Sequence, residues 1–217
     1  MKNKRFAIIL SGCGVFDGSE IQEAVACMLA IDQRGSSYEC FAPDIWQYHV
    51  INHLTGEEST EKRNVLIESA RIARGKVTRL DDFDPARFDA LVLPGGFGVA
   101  KNLCTFAIDG PDCLVNPEAE KALLLAHKSG LPIGALCISP ALVAKVLRDI
   151  QLTIGSDEST AAAIESMGAK HHTSHGDEIV IDRKNRLVTS PCYMHDTSIS
   201  VVARGAANVI DALYDLM

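Results

Sequence analysis

Short apolar runs alternate with longer amphipathic segments along the chain, and this alternation is typical of a parallel α/β sheet. The apolar runs predict strands at 6–10, 38–42, 90–93 and 132–136. Apolar positions at helical spacing predict helices at 20–33, 64–74, 118–129, 142–147, 161–167 and 199–214. In the first of these helices, the recurring apolar residues are Ile21, Val25, Met28 and Leu29.

The segments between these elements carry weaker signals. Residues 44–64 are expected to be irregular or hairpin structure, and residues 99–117 a loop with one helical turn. A short strand is predicted at 152–155, and residues 178–181 and 187–189 are predicted to form a hairpin-like pair. Because no internal repeat, low-complexity tract or linker interrupts the chain, the pattern predicts one domain.

Composition narrows the class of partner. The 217 residues are 47% hydrophobic and 23% charged, with a formal net charge of −7, which is typical of a globular protein with a substantial core. The acidic balance gives no broad attraction to nucleic acid or anionic lipid, and no apolar run approaches the roughly 20 residues that cross a bilayer. Seven cysteines, without a Cys-x-x-Cys pair or a signal peptide before them, favour reduced thiols. We therefore expect a cytoplasmic protein that binds no nucleic acid and no membrane.

Cys137 is the strongest candidate for chemistry. It stands between a predicted strand and the helix that follows, which is the position of a nucleophile elbow. The free N–H groups at the start of that helix favour thiolate over thiol, and Pro140 suits its first turn. A buried structural cysteine is the alternative, but the position between strand and helix favours a reactive thiol.

Two glycines after the strand at 90–93 are candidate partners of this thiol. Gly95 and Gly96 allow the backbone to approach a ligand closely with its N–H groups turned inward. With the amide of Ile138, they are predicted to form an oxyanion hole that also binds substrate. A simple tight turn is the alternative. A dinucleotide-binding loop is a weaker hypothesis, because Gly12-Cys-Gly14 lacks the third glycine at the required spacing.

Glu20 is the carboxylate that we expect to pair with Cys137. It lies near the start of the first predicted helix, close to the carboxyl end of the first strand, where ligands of open α/β sheets gather. A carboxyl group there can share or move a proton, whereas a purely structural role at the positive end of the helix is the alternative. Cys13, in the first glycine-rich turn, is a rival thiol if it faces the same cleft.

The other cysteines and three clustered histidines are expected to take no part in the site. Cys27, Cys40 and Cys192 are predicted to be core or near-core residues, and Cys104 and Cys113 to lie in a polar loop without a helper residue. The histidines at 171, 172 and 175 have no carboxylate at Glu-x-x-His spacing, so a solvated loop is expected there. No metal site is predicted.

Several stretches of the chain resemble the ElbB family, also called the enhancing-lycopene-biosynthesis or isoprenoid-biosynthesis proteins. This family lies in the class I glutamine amidotransferase-like and PfpI-like superfamily. The resemblance is carried by residues 9–21, 50–57, 63–68, 93–98, 100–103 and 137–141. It implies a single domain over residues 1–217 with a flavodoxin-like fold, in which helices cover both faces of a doubly wound, mostly parallel sheet. It also implies a homodimer.

The same resemblance implies an activity. With Cys137 as nucleophile and Glu20 as its acidic neighbour, it implies cofactor-independent glyoxalase chemistry, in which a small dicarbonyl substrate becomes a hydroxy acid. It also implies, as an alternative, a deglycase activity that removes the adducts of such dicarbonyls from proteins. Many relatives place His directly after the elbow cysteine, where this chain has Ile138, so amidase, protease or amidotransferase chemistry is disfavoured. His195 lies roughly where amidotransferases carry their base, and it is expected to be a surface histidine unless it reaches the cleft.

Two other functions remain as alternatives. One is a non-catalytic, redox-sensing thiol module associated with isoprenoid metabolism, in which Cys137 is oxidised or capped instead of being turned over. The other is a glutaminase subunit that feeds ammonia to a synthase, which requires a base beside the thiol. Ile138 argues against the second alternative.

Overall fold

Strands and helices alternate along residues 3–217, the part of the chain that this computed structural model describes. The strands are β1 (Arg5–Ile9), β2 (Ser37–Ala42), β3 (Val50–Ile51), β4 (Glu58–Ser59), β5 (Val77–Arg79), β6 (Ala90–Leu93), β7 (Ile133–Leu136), β8 (Gln151–Leu152), β9 (Lys170–His171), β10 (Val180–Asp182) and β11 (Leu187–Ser190). The helices are α1 (Ile21–Gln33), α2 (Val65–Ile72), α3 (Phe106–Asp109), α4 (Pro117–Lys128), α5 (Ser139–Leu147), α6 (Glu158–Ser166) and α7 (Ile199–Leu216).

A seven-stranded sheet forms the centre, in the order β10-β11-β7-β6-β1-β2-β5. All neighbouring pairs in it are parallel except β10 and β11, which form the predicted hairpin. The register places Ile8 of β1 between Val92 of β6 and Cys40 of β2. Because the strand order runs outward in both directions from the middle, the doubly wound, mostly parallel sheet that was predicted is confirmed.

Alternating side chains of the sheet build one apolar layer on each face. In β1, Phe6 and Ile8 belong to the layer covered by α1 and α7, and Ala7 and Ile9 to the layer covered by α4 and α5. This is the period of two that a strand buried on both faces requires, and it explains why β1 reads as a continuous apolar run. The parallel sheet is therefore covered by helices on both faces, as predicted.

Of the four apolar residues that recur at helical spacing in α1, only Met28 is buried. Ala24, Cys27 and Ile31 are buried against the sheet, whereas Ile21 and Val25 are exposed to solvent, as is Leu29. The helix is apolar on two sides, and its smaller side chains allow the closer approach to the sheet. The buried stripe also contains Glu23, a charged residue type at a core position.

Three short elements differ from or refine the predictions. β5 was not predicted, because its three residues Val77–Arg79 form no apolar run and are half-buried or exposed at the edge of the sheet. The expected hairpin within 44–64 is confirmed as the antiparallel pair β3 and β4. The strand predicted at 152–155 is β8, which pairs with β9 in a separate small sheet. Within residues 3–217, no helix has the combination of length and apolar character that crossing a membrane requires.

Candidate active site

The carboxyl ends of β1, β6 and β7 lie side by side because these strands are adjacent and parallel. Cys137 follows β7, and its backbone N–H donates to the carbonyl oxygen of Ser190 at 2.9 Å. Ser139, in the first turn of α5, donates its hydroxyl to the carbonyl oxygen of Pro94 at 2.6 Å. These two bonds fix the turn that carries the thiol to its neighbouring strand ends.

Cys137 has the backbone conformation of a nucleophile elbow. Its φ is +57°, in the left-handed region that residues with a side chain adopt at a cost of order 1–3 kcal/mol. Its side chain is only 6% exposed, yet it lines a cavity of about 400 Å³. The strained turn therefore holds the sulfur at the wall of a cavity that a small ligand can occupy.

Glu23, which the sequence analysis did not single out, supplies the carboxylate beside this sulfur. Its side chain is fully buried, and its Oε2 and the sulfur of Cys137 both lie within 3 Å of the point where a Cβ of Gly95 would be. Its Oε2 accepts the N–H of Gly95 at 2.8 Å, and its Oε1 accepts the N–H of Tyr193 at 3.2 Å. The signal for it was present in the sequence, since Glu23 precedes the buried Cys27 by one helical turn.

Gly95 is the close contact that lets thiol and carboxylate meet. A Cβ at this position would lie 2.3 Å from Cys137 Cβ, 2.7 Å from Glu23 Oε2 and 2.9 Å from Cys137 Sγ. No side chain fits there, so the need for glycine is steric. The N–H of Gly95 is already bonded to Glu23, which corrects its predicted place in the oxyanion hole.

Gly96 and Ile138 lie where donors for a reacting oxygen are needed. The backbone N–H groups of both residues lower the pKa of Cys137, so they favour negative charge on its sulfur. The side chain of Ile138 packs at the cavity wall. Their role as oxyanion donors stays a prediction, whereas the N–H of Gly95 is engaged by Glu23.

Burial dominates the electrostatics of the pair. The pKa of Glu23 rises from its ordinary 4.5 to about 7, because the carboxylate loses its hydration and because Glu20 adds a negative charge nearby. Burial, followed by the charge of Glu23, also raises the pKa of Cys137 well above its ordinary value. The expectation of a preformed thiolate is therefore corrected: Cys137 rests as a thiol next to a carboxyl group that ionises near neutral pH.

Glu20, which we expected to pair with Cys137, lies one helical turn before Glu23, the carboxylate beside the thiol. It is the N-cap of α1, and its Oε2 accepts the N–H of Glu23 at 2.6 Å. Its own N–H donates to the carbonyl oxygen of Gly95 at 2.9 Å, which ties the start of α1 to the turn after β6. The structure thus gives Glu20 a capping bond, and the carboxylate that lies beside Cys137 is that of Glu23.

The two further candidates lie outside the cavity. The charged neighbours of Cys13 include Glu68 and Arg71, both on α2, and burial raises the pKa of its thiol. His195 places its Nε2 at 2.9 Å from the carbonyl oxygen of Ser174. Neither residue is among the described residues that line the cavity of Cys137.

The remaining cysteines and histidines fill structural positions. Cys27, Cys40 and Cys192 are buried as predicted, but Cys104 and Cys113 are also buried, and the polar-loop prediction for these two is wrong. The two thiols contact each other, and the neighbouring backbone pairs as a bridge between Cys104 and Val115. Across residues 3–217, no three His, Cys, Asp or Glu side chains are grouped as metal ligands would be.

These features define a class. A doubly wound sheet with an elbow thiol after a central strand is the architecture of class I glutamine amidotransferase-like domains. The glyoxalase III of Candida albicans superposes with a TM-score of 0.61 over 96% of this chain and 97% of its own, at 15% identity, and at that identity it shows the fold alone.

Two closer matches define the family. The human mitochondrial glutamine amidotransferase-like class 1 domain-containing protein 3 is 46% identical over 222 residues, covering 98% of this chain and 83% of the human protein. An isoprenoid biosynthesis protein with an amidotransferase-like domain from Ehrlichia chaffeensis has a TM-score of 0.92 at 39% identity, over 98% of this chain and 99% of its own. The chain therefore belongs to this family of amidotransferase-like isoprenoid-biosynthesis proteins, as its motifs indicated. No protein-family model matches the chain.

Proposed function

We propose that the protein is a cofactor-independent, glyoxalase-type enzyme that converts 2-oxoaldehydes to 2-hydroxy acids through Cys137. The observation that carries this proposal is the buried pair of Cys137 and Glu23 at the wall of a cavity. A thiol with a raised pKa needs a base when it attacks, and a carboxyl group with a pKa of about 7 is suited to take and return a proton at neutral pH. The glyoxalase III of Candida albicans, which shares the fold, shows that glyoxalase chemistry occurs on this architecture.

The reaction divides into addition, proton transfer and hydrolysis. Cys137 Sγ bonds to the aldehyde carbon while Glu23 takes the thiol proton and delivers it to the aldehyde oxygen, giving a hemithioacetal. Glu23 then removes the hydrogen of that carbon as a proton and returns it to the former ketone carbon through an enediol, while the hydroxyl proton of the hemithioacetal passes to the former ketone oxygen. This internal transfer oxidises the first carbon to a thioester and reduces the second to an alcohol. Water releases the 2-hydroxy acid and restores the thiol.

The backbone donors have defined parts in these steps. The N–H groups of Gly96 and Ile138 stabilise the negative charge that develops on sulfur or on the adjacent oxygen. The N–H groups of Gly95 and Tyr193 hold the Glu23 carboxylate in place, so that its free electron pairs face the thiol. Glu20 acts as a positioning residue, since it caps α1 and adds the charge that raises the pKa of Glu23.

Turnover of glyoxal by three variants tests the proposal. Cys137→Ser and Glu23→Gln are expected to lower kcat/KM by at least about 100-fold, the usual scale for loss of a nucleophile or a general base. Cys13→Ser is the matched control, because this thiol lies outside the cavity, and it should retain wild-type activity. Product should be followed as glycolate, since free thiols consume glyoxal without forming acid. Unchanged glycolate formation by Cys137→Ser would refute the proposal.

A redox-sensing thiol is the second candidate function. The N–H groups of Gly96 and Ile138 around the sulfur are suited to bind the oxygens of an oxidised cysteine, and the isoprenoid-associated relative fits a regulatory role. Mass spectrometry after mild peroxide treatment separates the two candidates. Stoichiometric sulfinic acid at Cys137 together with negligible glyoxal turnover favours the sensor.

The other functions receive less support. A glutaminase needs a base beside the thiol, but His195 contacts Ser174 and Ile138 occupies the neighbouring position. Removal of glycation adducts from proteins uses the same chemistry as glyoxal turnover, and it is compatible with the site. We keep the cytoplasm as the proposed compartment on the basis of the free thiols, although the name of the human relative includes mitochondrial.

A homodimer is also proposed. The exposed apolar side chains Ile21, Val25 and Leu29 follow one another at four-residue spacing along α1. Residues four apart share one face of a helix, so these three form a continuous apolar stripe. Such a stripe is the kind of surface that a second copy of the chain can cover.

A further inference from the structure

The cavity beside Cys137 is larger than a two-carbon dicarbonyl needs. Its volume of about 400 Å³ lies within the range of roughly 300–1,000 Å³ that is typical of cavities for drug-sized ligands. Its walls include Val15, Phe97, Ala100, Phe106, Ile138 and Met194. The space next to the reacting sulfur is therefore sufficient for a substituent of several carbon atoms on the substrate.

The walls of the cavity are apolar. None of the lining side chains in the described part of the chain carries a charge. Only two hydroxyl groups are among the described lining side chains, those of Thr160 and Tyr193, and the Tyr193 hydroxyl already donates to Gln22 Oε1. Burying a charged or strongly polar substituent without a partner is costly, so the cavity favours hydrocarbon groups.

A nearby cation does not change this conclusion. Lys101 Nζ lies 4.7 Å from the centre of the Phe97 ring, which forms part of the cavity wall. The same ammonium group is 3.0 Å from the carbonyl oxygen of Phe16 and 3.0 Å from His49 Nε2. Its three N–H donors are thus engaged by an oxygen, a ring nitrogen and an aromatic face, and none is left for a carboxylate or phosphate on the substrate.

We propose that the preferred substrates are 2-oxoaldehydes with a hydrocarbon substituent on the ketone carbon, rather than glyoxal or anionic dicarbonyls. This inference rests on the glyoxalase function proposed above and deepens it by naming the substrate class. The aldehyde reacts at Cys137, and the substituent lies against Phe97 and the other apolar walls. The overall reaction, R–CO–CHO with water to R–CH(OH)–COOH, needs no other reactant.

A homologous series of substrates tests the proposal on the wild-type protein. We expect kcat/KM to rise about fourfold per methylene from methylglyoxal to 2-oxobutanal and 2-oxopentanal, the factor that corresponds to burying one CH₂ group. The kcat/KM values are calculated from the concentration of unhydrated aldehyde, because the fraction of each substrate that is hydrated in water differs along the series. The anionic analogue 4,5-dioxopentanoate, of similar length, is expected to react more slowly than methylglyoxal. A flat series, or a preference for the anionic analogue, overturns the proposal.

The variant Phe97→Ala tests whether the preference for longer substituents arises from this cavity. Removing the ring should lower the ratio of kcat/KM for 2-oxopentanal over methylglyoxal by roughly threefold or more, since apolar contact area is lost. Phe16→Ala is the matched control: its ring packs on His53 and does not line the cavity. An equal change of this ratio in both variants contradicts the assignment.

Protection of Cys137 from alkylation distinguishes failure of this inference from failure of the proposed function. Benzaldehyde forms a hemithioacetal but has no neighbouring ketone, so it reports binding without turnover. We expect it to slow iodoacetamide labelling of Cys137 at a lower concentration than acetaldehyde does. Protection without turnover of any 2-oxoaldehyde refutes the glyoxalase proposal while supporting the apolar site. Turnover of glyoxal and methylglyoxal with no advantage for longer substrates or for benzaldehyde refutes only the inference.

Discussion

Replacing Glu23 by glutamine should change how the stability of the protein depends on pH. Glu23 is fully buried, and its pKa of about 7 lies above the ordinary 4.5. As the pH rises through 4.5, the unfolded chain releases this proton first, so the free energy of the unfolded state falls relative to that of the folded state. Stability is therefore lost with rising pH until the folded group ionises near pH 7. Because glutamine does not ionise, the pH-dependent contribution of this residue to the free energy of unfolding disappears in the variant.

The magnitude follows from the pKa shift. From 4.5 to about 7, at about 1.4 kcal/mol per unit, the ionisation of Glu23 costs the folded state about 3 kcal/mol, most of it between pH 5 and pH 8. Glutamine also has one acceptor oxygen where glutamate has two, so the N–H of either Gly95 or Tyr193 loses its partner. That loss costs about 1–3 kcal/mol, but it is the same at every pH.

Urea unfolding at several pH values isolates the ionisation. The difference in free energy of unfolding between Glu23→Gln and wild type should increase, in favour of the variant, by roughly 2–3 kcal/mol from pH 5 to pH 8. Glu120→Gln, on the exposed side of α4, is the matched control and should run parallel to wild type. If the Glu23→Gln curve is also parallel to wild type, Glu23 does not titrate as the structure requires, and its role as a base loses its physical support.

Three further predictions concern activity and assembly. The kcat/KM for a 2-oxoaldehyde should rise with pH through a midpoint of about 7 as Glu23 ionises. Glu20→Gln should move that midpoint to lower pH, because the variant removes a negative charge near Glu23. A midpoint that the variant leaves unmoved contradicts the electrostatic argument. Gly95→Ala should abolish most activity and lower stability by about 1–3 kcal/mol, because its Cβ would lie 2.3 Å from Cys137 Cβ, whereas Gly56→Ala, in open space, should remain active. Val25→Glu should convert the proposed dimer to a monomer in sedimentation velocity, and a wild-type protein that sediments as a monomer argues against the dimer.

Several parts of this protein can be predicted from local sequence because local chemistry determines them. The apolar runs that became β1, β6 and β7 are buried on both faces of a parallel sheet. Because neither face needs polar side chains, each of these strands appears in the sequence as a continuous apolar run. The elbow at Cys137 follows from the abrupt change from strand to helix at that residue. Short edge elements such as β5 could not be predicted, since three half-exposed residues carry too little pattern.

The tertiary structure decided which carboxylate meets the thiol. By sequence, Glu20 and Glu23 are both acidic residues at the start of the same helix, and either is compatible with an acid beside Cys137. Packing of α1 on the sheet turns Glu23 inward and leaves Glu20 as the cap. This packing buries Glu23 beside Cys137, and burial, followed by the neighbouring negative charges, raises the pKa of both groups. Sequence alone thus determined the fold class and the position of the elbow thiol, because those depend on neighbours along the chain. The carboxylate beside the thiol and the apolar cavity depend on contacts between distant strand ends, which only the folded chain specifies.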